Sequence, residues 1–69
     1  MMLFECVNKE GGLTLRGIPP AYIVEVSATA SEPSNCWIRW DDKSGGGPRP
    51  VCVKGTVGEI VAMINRFLH

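Results

Sequence analysis

Residues 56–68, TVGEIVAMINRFL, have the pattern of a capped amphipathic helix. Thr56 and Glu59 form a T-x-x-E capping box, in which each side chain accepts a hydrogen bond from the other residue's amide. Apolar residues then recur at steps of three and four, which places them on one side of a helix: Val57, Ile60, Val61, Ile64, Phe67 and Leu68. Because a helix this short is not stable alone in water, the pattern predicts a helix at about 57–68 that covers a sheet.

Upstream of this helix, short apolar runs alternate with turn-forming residues, which is typical of strands. We expect strands at about 3–7, 13–17, 22–28, 36–41 and 51–54. The links between them are too short for crossover connections, so the strands should pair mostly antiparallel. The sequence predicts one α+β domain over residues 1–69. Its antiparallel sheet has four to five strands, can curl into a partly open barrel, and carries the C-terminal helix.

Two details of this sheet follow from local patterns. In the second strand Leu13 and Leu15 alternate with Thr14 and Arg16, the pattern of a half-buried strand with its leucines on one face. Residues 42–50 contain three consecutive glycines and two prolines, so we expect a flexible hairpin loop there. The glycines are followed by prolines and a strand, and a phosphate-binding loop would be followed by a helix.

Composition limits the function classes. The 69 residues carry seven basic and seven acidic side chains, and a nucleic-acid binder usually shows a basic excess. The three cysteines, Cys6, Cys36 and Cys52, form no C-x-x-C pair, and we expect no signal peptide before them. We expect structural thiols and a cytoplasmic location, with metal or redox use as the alternative. No apolar run approaches the roughly 20 residues of a membrane span.

The sequence has few residues in positions that are typical of catalytic sites. The single histidine, His69, is the last residue, where the chain is expected to fray. Asp41 and Asp42 are adjacent, so they would point to opposite faces of a strand, and at a strand end they are typical turn formers. We therefore expect no enzyme activity, no catalytic residue, no cofactor and no metal site.

The tryptophans point to a binding surface. Trp37 and Trp40 are three residues apart in one predicted strand, so they project from opposite faces. If the helix covers the face of Trp40, Trp37 is left exposed beside Arg39 on the opposite face of the sheet. Tryptophan and arginine are both enriched in interaction hot spots. The alternative is that a curled sheet buries both rings or that the glycine loop covers Trp37.

Basic residues gather in the same part of the sequence. The candidate interaction residues are Trp37, Arg39, Lys43, Arg49 and Lys54. Basic side chains next to an exposed aromatic ring suit a single-stranded nucleic acid or an acidic protein. The alternative is an ordinary charged hairpin tip.

The order of elements resembles the small flagellar motility proteins of the FlbD or SwrD family. The matching segments are residues 3–7, the turn NKEG at 8–11, LTL at 13–15, IPPAYI at 18–23, and VCVK at 51–54 leading into 56–64. The likeness spans most of the chain, but loop 42–50 is longer than that family's hairpin turn and the tryptophans have no counterpart. The resemblance implies a small non-enzymatic accessory protein and transfers no site residue.

The order of strands followed by a helix is also similar to CsrA-type RNA-binding dimers. The basic residues that such a protein would carry on its outer strands are not evident here.

These observations predict a small non-enzymatic protein-interaction or regulatory module, an accessory protein of a bacterium or phage. Its partner would be another protein or a second copy of the chain. The alternative is a nucleic-acid-binding module that uses the basic hairpin at 39–54.

Overall fold

The computed structural model describes residues 1–30 and 32–69, and shows five strands followed by one helix. The strands are β1 (Met2–Val7), β2 (Leu13–Ile18), β3 (Ile23–Ala28), β4 (Asn35–Trp40) and β5 (Arg49–Lys54). The helix α1 spans Val57–Leu68, and a single 3-10 turn (Pro20–Tyr22) joins β2 to β3. The predicted α+β fold with an antiparallel sheet and a C-terminal helix is confirmed. Ser31, in the link between β3 and β4, lies outside the described residues.

All five strands form one antiparallel sheet in the order β2-β1-β5-β4-β3. Three hairpins supply most of this order, and β5 then returns to pair with β1 at Cys6 and Val53. Sequence-adjacent strands therefore form two groups, which the β1–β5 pairing joins into a continuous sheet.

The sheet is strongly curled. On β2 the guanidinium of Arg16 lies 5.5 Å from the centre of the Trp40 ring on β4, although β1 and β5 lie between these strands. In a flat sheet the two strands would be roughly 14 Å apart, at about 4.8 Å per strand. Curvature therefore brings the inner faces of distant strands together, while β2 and β3 remain the two edges of an open sheet.

The core lies on the inner face of this curled sheet. Its buried members come from four strands and the helix: Met2, Phe4, Cys6, Ile18, Cys36, Ile38, Val53 and Ile60. Among the described residues no polar or charged side chain is buried. The buried part of the inner face is thus apolar, and Ile60 attaches α1 to it.

The strand ends differ from the predicted ones at β4 and β5. Asp41 lies beyond β4, and its amide donates to the Tyr22 carbonyl at 2.8 Å. Pro50 lies inside β5, opposite Arg39 on β4. This position tolerates a proline because β1 has already ended at Val7, so no strand on that side needs the missing amide.

The leucines of β2 do not face the core. A half-buried strand would be expected to turn its apolar residues inward. Leu13 and Leu15 are exposed, and they pair with Val7 and Glu5 on the outer face of the sheet. Thr14 and Arg16 point inward instead, because Ile18, two residues beyond Arg16, fills the core. The alternation predicted the strand correctly but did not identify which face is covered.

The capping box at the start of α1 is confirmed. The Thr56 hydroxyl accepts from the Glu59 amide at 3.1 Å, and a Glu59 carboxylate oxygen accepts from the Thr56 amide at 3.0 Å. Just before it, Gly55 has a φ of +130°, and a β-carbon there would lie 3.0 Å from Ile60. The turn into the helix therefore requires glycine for both its conformation and its packing.

The apolar side of α1 is only partly used. Val57, Ile60, Met63 and Ile64 pack on the core, which confirms that the helix covers the inner side of the sheet. Three residues of the predicted stripe, Val61, Phe67 and Leu68, are instead exposed. In the part of the chain that the structure describes, no helix combines the length and the apolar character that crossing a membrane requires.

The cap makes a measurable contribution to stability. Thr56→Ala should lower the free energy of unfolding by about 1 kcal/mol, because the Glu59 amide loses its acceptor. Thr56→Ser keeps a hydroxyl acceptor and is the matched control, with a change near zero. Urea unfolding followed by circular dichroism measures both, and equal loss in the two variants would contradict the role of the hydroxyl.

The same box makes stability depend on pH. The hydrogen bond from the Thr56 amide holds the pKa of Glu59 below its ordinary value of 4.5. The stabilisation by the carboxylate is therefore complete above that value and is lost as pH falls through the lowered folded-state pKa. Wild type should be more stable than Glu59→Gln near neutral pH, and the difference should vanish in acid. Urea unfolding across the acid range measures it, and a difference that grows in acid would contradict this assignment.

Candidate interaction surface

Trp37 lies on the outer face of the sheet, away from the helix. Its side chain is 41% exposed, and its strand position pairs with Cys52 on β5 and Ser27 on β3. The antiparallel pairing of Cys6 with Val53 places Val7 next to Cys52, and Val7 pairs with Leu13. One row of mostly apolar side chains thus crosses the outer face from β2 to β4.

A second group of apolar side chains extends this row along β1 and β2. Leu3 is 63% exposed and Leu15 is 67% exposed, both on the outer face. The Met1 side chain lies over Gly17, where a β-carbon would overlap with the methionine sulfur. We name the outer apolar face by its six residues: Leu3, Val7, Leu13, Leu15, Trp37 and Cys52.

The hairpin of β1 and β2 is therefore apolar on both sides. Its inner side carries core residues such as Phe4 and Ile18, and its outer side carries leucines that are largely exposed to water. Strands with two apolar faces are typical of sheets covered on both sides. Exposed apolar surfaces of more than a few hundred Å² mark interaction sites on soluble proteins.

The outer face also carries two pairs of opposite charges. Arg39 lies two residues from Trp37 and approaches Glu25 on β3 at 3.8 Å, with both side chains about half exposed. Such an exposed pair contributes little to stability. In the β1–β5 register Glu5 lies next to Lys54, and both are exposed. The Glu5–Lys54 positions lie between the leucines and Trp37.

Of the other basic candidates, Lys54 shares the outer face with Trp37, whereas Arg49 and Lys43 do not. Arg49 pairs with Trp40 on the inner side, with its guanidinium 5.7 Å from the ring and 3.5 Å from Asp42. Lys43 belongs to the loop after β4, and Lys54 pairs with Asn35 at the other end of β4 from Arg39. The candidate residues Arg39, Lys43, Arg49 and Lys54 are therefore spread over two faces and both ends of the hairpin.

The loop after β4 is ordered at its start by the two aspartates. Asp41 accepts from the Lys43 amide at 2.9 Å, and Asp42 accepts from the Ser44 amide at 3.0 Å. The side-chain and backbone hydrogen bonds from Ser44 lower the pKa of Asp42, and the charge of Arg49 adds to this effect. The prediction that Asp41 and Asp42 are turn formers is confirmed.

The three thiols differ in their positions. Cys6 and Cys36 are buried in the core, whereas Cys52 lies on the outer face and is partly exposed. Burial raises the pKa of the Cys52 thiol, and the charge of Glu32 adds to this rise. All three cysteines are free, and burial raises the pKa of Cys6 and Cys36 as well, which disfavours the thiolate form.

A groove of about 540 Å³ lies at the far end of α1. It is lined by the N-terminal strand and the last helical turns: Met1, Met2, Leu3, Met63, Arg66 and Phe67. Leu3 belongs both to this groove and to the outer apolar face. The exposed end of the helix stripe is thus continuous with the exposed leucines.

Sequence reasoning found Trp37 and missed the leucines. The separation of Trp37 and Trp40 onto opposite faces follows from strand periodicity, and the structure confirms it. Leu13 and Leu15 gave no comparable signal, because an alternating strand looks the same whichever face is covered. The alternation of β1, with Leu3, Glu5 and Val7 opposite Phe4 and Cys6, was the available hint of two apolar sides.

No family model, curated protein or solved structure matches this chain. The resemblance to the FlbD or SwrD family stays a prediction. The evidence for the candidate surface is therefore the geometry of this chain alone.

The outward position of Cys52 is testable by thiol labelling. In the native protein at mildly alkaline pH, iodoacetamide should modify Cys52 several times faster than Cys6 or Cys36, because only Cys52 is accessible without opening the core. Mass spectrometry of peptides gives the three rates, and the urea-unfolded chain is the control in which they converge. Equal native rates would contradict the assignment of faces.

Proposed function

We propose that this chain is a small non-enzymatic protein-interaction module that binds its partner through the outer apolar face. The observation that carries the proposal is the exposure of Trp37 and the leucines on the sheet face opposite the helix. Tryptophan is the residue most enriched in interaction hot spots, and flanking apolar contacts exclude water from such a ring. The half-exposed Trp37 has apolar neighbours of this kind, with Cys52 on the adjacent strand β5 and Val7 on β1, the strand beyond it.

The charges support a protein over a nucleic acid as the partner. A nucleic-acid surface needs several cations that follow the phosphate backbone. Here Arg39 is paired with Glu25, and Arg49 is directed to Trp40 and Asp42. The face around Trp37 is apolar, and its charges are balanced.

Substitution of the anchor residue tests the proposal. Trp37→Ala should weaken partner binding by at least about 30-fold, the loss expected when a hot-spot tryptophan is truncated. Val24→Ala is the matched control, since Val24 is an apolar residue on β3 that is 56% exposed and lies outside the outer apolar face. Binding is measured by quantitative affinity purification with the full chain as bait and by sedimentation velocity.

The outcomes separate the two classes of partner. Loss of association with Trp37→Ala and retention with Val24→Ala would support the protein-interaction proposal. If both variants bind as wild type does while remaining folded, the proposal is wrong. Binding of single-stranded oligonucleotides that weakens steeply with salt would favour the nucleic-acid alternative instead.

A further inference from the structure

A cavity of about 460 Å³ lies beside the β1–β2 hairpin. In the described part of the chain, β1 and β5 pair at Cys6 and Val53 alone, so the two groups of strands are free to diverge beyond that point. The cavity lies at this opening, because its lining includes Val7 and Asn8 from one side and Val51 from the other. Its size is within the range of small-molecule sites, about 300–1,000 Å³.

The polar side chains that line this cavity can all donate hydrogen bonds: Asn8, Thr14 and Arg16. None of its described lining residues is acidic. The Asn8 side-chain oxygen accepts from the Glu10 amide at 3.0 Å and from the Gly12 amide at 2.8 Å. These bonds hold the side chain through its oxygen, so its amide nitrogen keeps two hydrogens to donate.

Thr14 and Arg16 occupy successive inner positions of β2, about 7 Å apart along the strand. Both are exposed to water. Among residues 1–30 and 32–69, no ion pair includes Arg16 and no side-chain hydrogen bond includes Thr14. The strand therefore presents to the cavity one cation and one hydroxyl that no acceptor of the described chain uses.

The Trp40 ring holds the guanidinium of Arg16, which lies 5.5 Å from its centre. Arg49 lies 5.7 Å from the same ring and approaches Asp42 at 3.5 Å, so its charge is balanced and that of Arg16 is not. A guanidinium over an aromatic ring keeps its in-plane N–H groups free to donate. Burial raises the pKa of the Cys6 thiol and the Arg16 charge opposes this rise, which shows that the charge acts at the cavity wall.

We propose that this cavity binds a small organic acid, with the carboxylate held by Arg16 and Thr14 and the hydrocarbon part against Cys6 and Val51. A carboxylate fits because its two oxygens match the parallel N–H groups of a guanidinium. A doubly charged phosphate would bring more negative charge than one arginine balances, and apolar walls suit a hydrocarbon body. The inference goes beyond the proposed function and does not depend on Trp37.

Three probes separate charge from shape. 4-Methylpentanoate carries a carboxylate on a branched hydrocarbon, 4-methylpentanamide is its neutral isostere, and inorganic phosphate is an anion without a hydrocarbon part. Each is titrated into the full ¹⁵N-labelled chain, and amide chemical shifts give the affinity and the location. The acid should shift the amides of Cys6, Thr14 and Val51 in a saturable way. It should bind at least about 10-fold more tightly than the carboxamide, because only the acid pairs with the guanidinium.

Substitution of the cation tests its role. Arg16→Gln should weaken binding of 4-methylpentanoate about 10-fold or more and leave the carboxamide unchanged. Arg49→Gln is the matched control, since it removes the same charge from the same ring outside the cavity lining. Thr14→Val keeps the branched shape of the side chain, and loss of the hydroxyl should weaken binding several-fold.

A negative charge introduced at Asn8 tests the location. Asn8→Asp keeps oxygen acceptors for the Glu10 and Gly12 amides, so the turn is retained, and the new carboxylate should repel the acid several-fold. Asn65→Asp places the same change on the exposed side of α1 and should bind as wild type does. Circular dichroism checks that every variant is folded.

The outcomes separate this inference from the proposed function. Carboxylate-dependent binding that is lost with Arg16→Gln and kept with Arg49→Gln would support the site. No saturable binding of the acid, equal affinity for the carboxamide, or phosphate binding as tight as that of the acid would overturn it. Equal losses in the two arginine variants would assign the effect to the charge around Trp40 and overturn it too. Each of these results leaves partner binding through Trp37 to its own test.

Discussion

The structure depends on how a sheet with apolar residues on both faces is covered. The described residues supply one α-helix for this. The helix takes the inner side, where Ile60 joins the core and the capping box at Thr56 sets the start of α1. In the described residues the outer side of β1 and β2 is left exposed at Leu3, Leu13 and Leu15. Apolar surface left in water costs free energy in proportion to its area. The exposed leucines are therefore the feature of this fold that most needs a physical explanation.

Much of the fold can be predicted from local patterns. The helix follows from its capping box and apolar spacing, and the strands follow from alternation and turn residues, so their positions agree closely with the structure. Sheet order and curvature depend on contacts between distant strands, such as Cys6 with Val53 and Arg16 with Trp40. No local pattern encodes these contacts. For the same reason the sequence could separate Trp37 from Trp40 but could not say that Leu13 and Leu15 lie on the side of Trp37.

The basic residues show how proximity in sequence can mislead. Arg39 and Arg49 are near each other along the β4–β5 hairpin, yet one points outward to Glu25 and the other inward to the Trp40 ring. A strand alternates its faces, so a run of charges along a hairpin is divided between two environments. What remains on the outer face is a balanced set of charges around apolar side chains.

The opposite placement of the two tryptophans gives the protein two separate optical reporters. Trp40 is half-buried on the inner side, with the guanidiniums of Arg16 and Arg49 within 6 Å of its ring. Its fluorescence emission therefore reports whether the curled sheet is folded. Trp37 faces water on the outer side, so its emission follows whatever covers that side. Replacement of either ring by phenylalanine leaves the other as a single-site probe. Folding and surface occupancy can thus be followed independently in the same small chain, without an attached dye.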